Sequence, residues 1–117
     1  MKINNIPAKE FRIVRPHYNS SFLTEVQIEA LKKICYGKDA RETVAPAKYE
    51  IVVGNTNRSG SLAIDDYDSF SVRIEGDKVY LNGGSPYATA AAVKSFAKLL
   101  KSHSVTDADS FCGSYKE

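Results

Sequence analysis

The chain has 117 residues and a mass of 12.9 kDa, the size of one ordinary domain, which leaves little room for a second domain or for the cleft of a large enzyme. Hydrophobic residues make up 43% and charged residues 26% of it, so it can bury a core and need not be disordered. Sixteen Lys and Arg against fourteen Asp and Glu leave a formal charge of +2 spread along the sequence. That balance draws it neither to nucleic acid nor to an acidic membrane, and no apolar run approaches the roughly 20 residues that cross a bilayer.

Met1 to Lys9 is polar around Pro7 and reads as a leader or linker, with domain structure starting at Glu10. Phe11 and Ile13 alternate with Arg12 before Pro16 closes the run, a short-strand signal. After the turn-rich stretch His17 to Ser21, Leu23, Val26, Ala30, Leu31, Ile34 and Cys35 fall on one side of a 3.6-residue period and predict an amphipathic helix. Thr24 with Gln27 has capping-box spacing, Ser20 or Ser21 offers another start, and Gly37 is a stop signal. Lys38 to Lys48 reads as a surface connection. In Tyr49 to Gly54 the consecutive Ile51, Val52 and Val53 predict a strand buried on both faces, hence central in its sheet. Asn55 to Ser69 carries no period.

Phe70, Val72 and Ile74 alternate with polar residues up to Gly76-Asp77, and Val79 and Leu81 alternate beyond it, which predicts a β-hairpin with a two-residue loop. Its register pairs Glu75 with Lys78, Ile74 with Val79, Arg73 with Tyr80 and Val72 with Leu81. A slip of one residue would break the apolar and polar faces together. Ser85-Pro86 then opens a second helix with an N-cap hydroxyl and a proline at N1. Ala88, Ala92, Phe96, Leu99 and Leu100 line one side of it, and Lys94, Lys98 and Lys101 the solvent side. Ser104 to Glu117 is polar and aperiodic and reads as a tail or linker. The predicted class is α/β (α+β), ordered β-α-β-β-β-α. It has a mixed, mainly antiparallel four-stranded sheet, two helices on one face, and a domain spanning residues 10–103.

Few residues carry a chemical signal. Asp65, Asp66 and Asp68 form the densest carboxylate cluster, but a calcium loop needs alternating ligands and a late Glu that are out of register here. Glycosidase carboxylates work from separate strand ends about 5 to 10 Å apart. His17 and His103 lie in no metal-ligand spacing, and His103 sits where a helix C-terminus stabilises a cation. Gly83-Gly84-Ser85 before a helix lacks the spacing of a phosphate loop, and capping accounts for it. Cys35 and Cys112 could form one bridge or stay as a buried and a separate thiol. Tyr80 is expected on a solvated sheet face opposite Val79 and Leu81, with Arg73 across from it. The pair could make a cation-π contact or anchor another domain.

Glu50-Ile51-Val52-Val53-Gly54-Asn55-Thr56-Asn57-Arg58 comes first in a set of motifs. Asp66-Tyr67-Asp68-Ser69-Phe70-Ser71-Val72-Arg73-Ile74 and Val79-Tyr80-Leu81-Asn82-Gly83-Gly84 follow, then the helix from Tyr87 to Phe96. Together they resemble the small α/β domain that precedes the catalytic barrel in β-hexosaminidases, α-glucuronidases and related glycoside hydrolases. The likeness covers about half the chain and departs at the helix start, where Ser85-Pro86-Tyr87 replaces a frequent second glycine. The resemblance implies a non-catalytic accessory domain. The acid and nucleophile of such enzymes belong to the barrel, which at about 250 residues cannot fit here. It implies no cofactor and no metal, and a soluble module of a larger extracellular or cell-envelope protein. The expected partner is the catalytic domain of the same polypeptide, with no nucleic acid and no membrane insertion. Arg58, from the motif, joins Arg73 and Tyr80 as candidate interdomain or glycan contacts. The alternative is a carbohydrate-binding module that uses exposed sheet-face aromatics.

Overall fold

The computed structural model describes residues 2–14, 22–36, 48–54 and 68–114. Among the described residues, seven strands and two helices follow in chain order: β1 (Lys2–Ile3), β2 (Ile6–Pro7), β3 (Arg12–Val14), α1 (Phe22–Tyr36), β4 (Glu50–Val53), β5 (Ser69–Glu75), β6 (Lys78–Gly83), α2 (Pro86–Ser102) and β7 (Phe111–Ser114). β1 and β2 form a minimal hairpin; the other five make one sheet in the order β3-β4-β6-β5-β7.

The α+β class is as expected, with two differences in the sheet. β3 and β4, the strands that flank α1, pair in parallel as the strand-helix-strand order implies, but β6, not β5, lies beside β4 and runs parallel to it, while β6–β5 and β5–β7 are antiparallel. The expected meander from the central strand is therefore replaced by a crossover, and the sheet is half parallel. The reason lies in burial. β5 alternates buried and half-exposed residues, whereas β6 is buried at every position after Lys78, so β6 takes the inner place and β5 lies further out. β4 is buried throughout and central. The β5–β6 hairpin has the register read from the sequence, from Val72 opposite Leu81 to Glu75 opposite Lys78.

The fifth strand, β7, comes from the stretch read as a tail, and the stretch read as a leader is folded too. Asn4 and Asn5 adopt left-handed backbone (φ 50° and 66°), the conformation a two-residue hairpin turn requires and Asn tolerates. That turn places Ile3, fully buried, in the main core next to Val105. A polar hub then ties both ends of the chain to the β5–β6 turn. Asn4 Nδ2 donates to Gly76 O (2.8 Å) and to Asp107 Oδ1 (2.7 Å), and Gly76 N donates to the same Asp107 oxygen at 3.1 Å. Polarity alone misled there, because short polar segments can bury single anchors and satisfy their backbone in a sheet.

Both helices cover one sheet face. Their side chains join Ile13, Ile51, Val53, Phe70, Val72, Ile74, Val79 and Leu81 in a single core. α2 starts as read, with Ser85 Oγ accepting from Ala88 N at 3.1 Å and Pro86 in the first turn. Gly83 permits this seat, since a Cβ there would lie 2.2 Å from Thr89 N. In α1 two readings change. Thr24 is inside the helix and donates to Pro86 O at 3.2 Å instead of capping, and the buried stripe is Thr24, Ile28, Leu31 and Cys35. Val26 and Ala30, read as core, face outward. Tyr36 Oη donates to Phe11 O and closes the end of α1 onto the start of β3.

Candidate functional site

The face of the sheet turned away from the helices carries the residues singled out from sequence. Strand register arranges them in rows: Arg12, Glu50, Lys78 and Glu75 across β3, β4, β6 and β5, then Val14, Val52, Tyr80 and Arg73, then Asn82, Ser71 and Cys112 across β6, β5 and β7. The first row alternates in charge. Lys78 Nζ stands 3.4 Å from Glu50 Oε1 and donates to Lys48 O at 2.7 Å, so the buried Glu50 carboxylate has a cation at its side.

Arg73 and Tyr80 come together as the register requires. The guanidinium lies 4.7 Å from the Tyr80 ring centroid, and its Nη1 is 3.0 Å from Glu75 Oε2. The expected solvated setting is corrected, however. Tyr80 is only 9% exposed and packs with Val14 and Val52 in a second small cluster. Burial first, and then the Glu75 carboxylate, push the Tyr80 phenol up from its usual value, with Arg73 acting in the opposite sense. The phenol therefore stays protonated at neutral pH and is suited to packing and hydrogen bonding, not to acting as a base. The centre of the face, at Glu50, Val52, Tyr80 and Asn82, is buried, while its β5–β7 margin is open: Ser71 and Arg73 are half-buried, Glu75 and Cys112 exposed. An aromatic shelf for stacking a sugar does not exist at Tyr80.

Arg58, His17, Asp65 and Asp66 lie outside the described residues. His103 ends α2, its backbone N donating to Leu99 O at 3.1 Å and its Nδ1 2.7 Å from Ser104 O. Both cysteines are free thiols, Cys35 buried and Cys112 exposed. Burial pushes the Cys35 thiol up to about 12, which removes it as a nucleophile at neutral pH. Among the described residues no group of three His, Cys, Asp or Glu is placed to hold a metal ion, and no helix is long and apolar enough to cross a membrane. Sequence reasoning missed Glu50 and Asn82 as buried polar members of this face. Their signal was position, since each sits one step from an apolar residue on a strand buried on both sides.

No family model matches the chain, and no curated protein matches it. Among solved structures, CpGH84D, a glycoside hydrolase family 84 protein, superposes with a TM-score of 0.62 at 14% identity. The likeness is one of fold. It covers 81% of this chain and 18% of that one, so the chain spans less than a fifth of the length of the protein it is similar to.

Proposed function

We propose that this chain is a non-catalytic accessory domain of a carbohydrate-active enzyme, a structural module that packs beside a catalytic barrel of the same polypeptide. The observation that carries this reading is the asymmetry of the likeness: 81% of this chain corresponds to only 18% of a glycoside hydrolase chain, as a small module attached to a larger machine would. The motif resemblance from Glu50 to Phe96 points the same way. The chemistry of the described residues agrees, because the Tyr80 phenol and the Cys35 thiol are both held protonated.

The contact surface in this reading is the open margin of the outer sheet face, with Arg73 as the polar anchor and Tyr80 as the ring that holds it in place. Arg58, in the stretch that follows β4, is the third candidate. Carbohydrate is the second candidate partner, and an extracellular or envelope location follows from the parent class. The test compares this chain alone with the protein encoded by its complete reading frame, using hexosaminide and uronide substrates and glycan titration. The chain alone should neither turn over nor bind, and Arg73→Glu in the complete protein should separate the unfolding of this domain from that of the barrel. Turnover by the chain alone, or a reading frame that holds no catalytic domain, overturns the proposal; glycan binding without turnover selects the binding-module reading.

A further inference from the structure

β7 forms one edge of the sheet and, among the described residues, pairs with β5 alone. Its backbone groups can be assigned to sides. Ile74 N donates to Ser110 Oγ at 2.9 Å and Gly84 N to Ser69 O at 3.0 Å, so even-numbered residues of β5 turn their backbone groups toward β7 and odd-numbered ones toward β6. An antiparallel ladder alternates in this way. Phe111 and Gly113, opposite Val72 and Phe70, therefore hold the ladder to β5. The N–H and C=O of Cys112 point out of the sheet edge, where Cys112 is exposed.

Edge strands are normally guarded by a charge, a proline or a bulge. Ser110, Phe111, Cys112, Gly113 and Ser114 supply no charge and no proline, and the register against β5 runs without a bulge. What selects the occupant is the alternation of size about Cys112. Antiparallel pairing of two β7 strands across a two-fold axis at Cys112 sets that residue opposite its own copy, and Phe111 of each chain opposite Gly113 of the other. Phe111 is 37% exposed on that side of the sheet. The Phe70 ring already lies over Gly113, where a Cβ would come within 2.8 Å of it, and it meets Phe111 of its own chain edge-on with centroids 6.1 Å apart. In the pair, each Phe70 gains the Phe111 ring of the second copy as a further aromatic neighbour. An unrelated strand would have to bring its own small residue to that place, whereas a second copy brings it by symmetry. α2 lies over β6 and β5, so the two α2 helices stand back from the axis.

From this we infer that the β7 edge pairs with the same edge of a second copy of the chain, joining the two sheets into one continuous sheet. The backbone bonds at Cys112 and the burial of Phe111 make a contact below the roughly 1,000 Å² of a stable interface, so the dissociation constant is of order 100 µM.

Sedimentation equilibrium of the whole chain from about 10 µM to about 1 mM tests this. The unaltered chain should show a monomer–dimer equilibrium that Cys112→Ser leaves in place. Cys112→Lys sets like charges opposite each other, and Cys112→Pro removes an outward N–H that the ladder to β5 does not use; each should weaken the dimer at least tenfold. Amide exchange of the unaltered chain needs no variant, and the Cys112 N–H should slow severalfold from the dilute to the concentrated end of the range. A chain that stays monomeric throughout, a dimer indifferent to Cys112→Lys, or a Cys112 amide whose exchange is independent of concentration overturns the proposal.

Discussion

The two faces of the central sheet share one backbone and solve different problems. Behind the helices the cross-strand rows are apolar over four strands each, Ile13, Ile51, Val79 and Ile74 from β3 to β5 and Val53, Leu81, Val72 and Phe111 from β4 to β7. On the other face the matching rows are Arg12, Glu50, Lys78 and Glu75, then Val14, Val52, Tyr80 and Arg73. Burial of apolar area is non-directional, so the first face supplies cohesion. Alternating charges and a cation over a ring pair correctly in one register only, so the second face supplies specificity at a small net energy.

The contrast can be broken most directly at Phe96, fully buried between α2 and the sheet. Phe96→Ala should cost about 3–5 kcal/mol in urea unfolding; a loss below about 1 kcal/mol would mean that the helix face does not carry the fold.

Alkaline unfolding sharpens the comparison next, because on each face a described group has its proton retained by burial. The Cys35 thiol is raised from 9.0 to about 12, so the folded chain keeps a proton that the unfolded chain releases. Stability is then unaffected below about pH 9 and falls as pH climbs toward 12, by at most ~4 kcal/mol at 1.36 kcal/mol per pH unit. Tyr80, also raised, adds a loss of the same sign starting near pH 10. Urea midpoints collected between pH 7 and pH 10.5 should decline less steeply for Cys35→Ala than for the unaltered chain, even though that variant starts lower. Parallel slopes would remove Cys35 from the account.

The smallest effect belongs to the outer face. A double-mutant cycle with Arg73→Ala and Tyr80→Leu should return a coupling of about 0.5–1 kcal/mol, modest because the Arg73 side chain is 29% exposed. Coupling above about 2 kcal/mol would show that this face contributes cohesion as well as register.

Much of this arrangement was legible locally. Gly76-Asp77 between two alternating runs specified the hairpin and with it the meeting of Arg73 and Tyr80. Ser85-Pro86 marked the start of α2 to the residue. Cys35 was read on a buried stripe and is there. What misled was context. Val26 and Ala30 satisfy a helical period as well as Ile28 does, and periodicity cannot say which of two apolar rows on α1 meets the core. The segments around Ile3 and Phe111 were too short to show a period, and the tandem Asn4-Asn5 turn was the one cue to the first hairpin.

The amino-acid order by itself determined the elements that close on near neighbours: the β5–β6 register, the α2 cap and the apolar content of β4. Their signals lie within a few residues of one another, where chain connectivity leaves one geometry. Only the tertiary structure decided that β6 slides between β4 and β5, that both chain ends complete the fold and that Tyr80 is covered. Each of those outcomes depends on which distant surfaces bury the most area together, and no local window contains that sum.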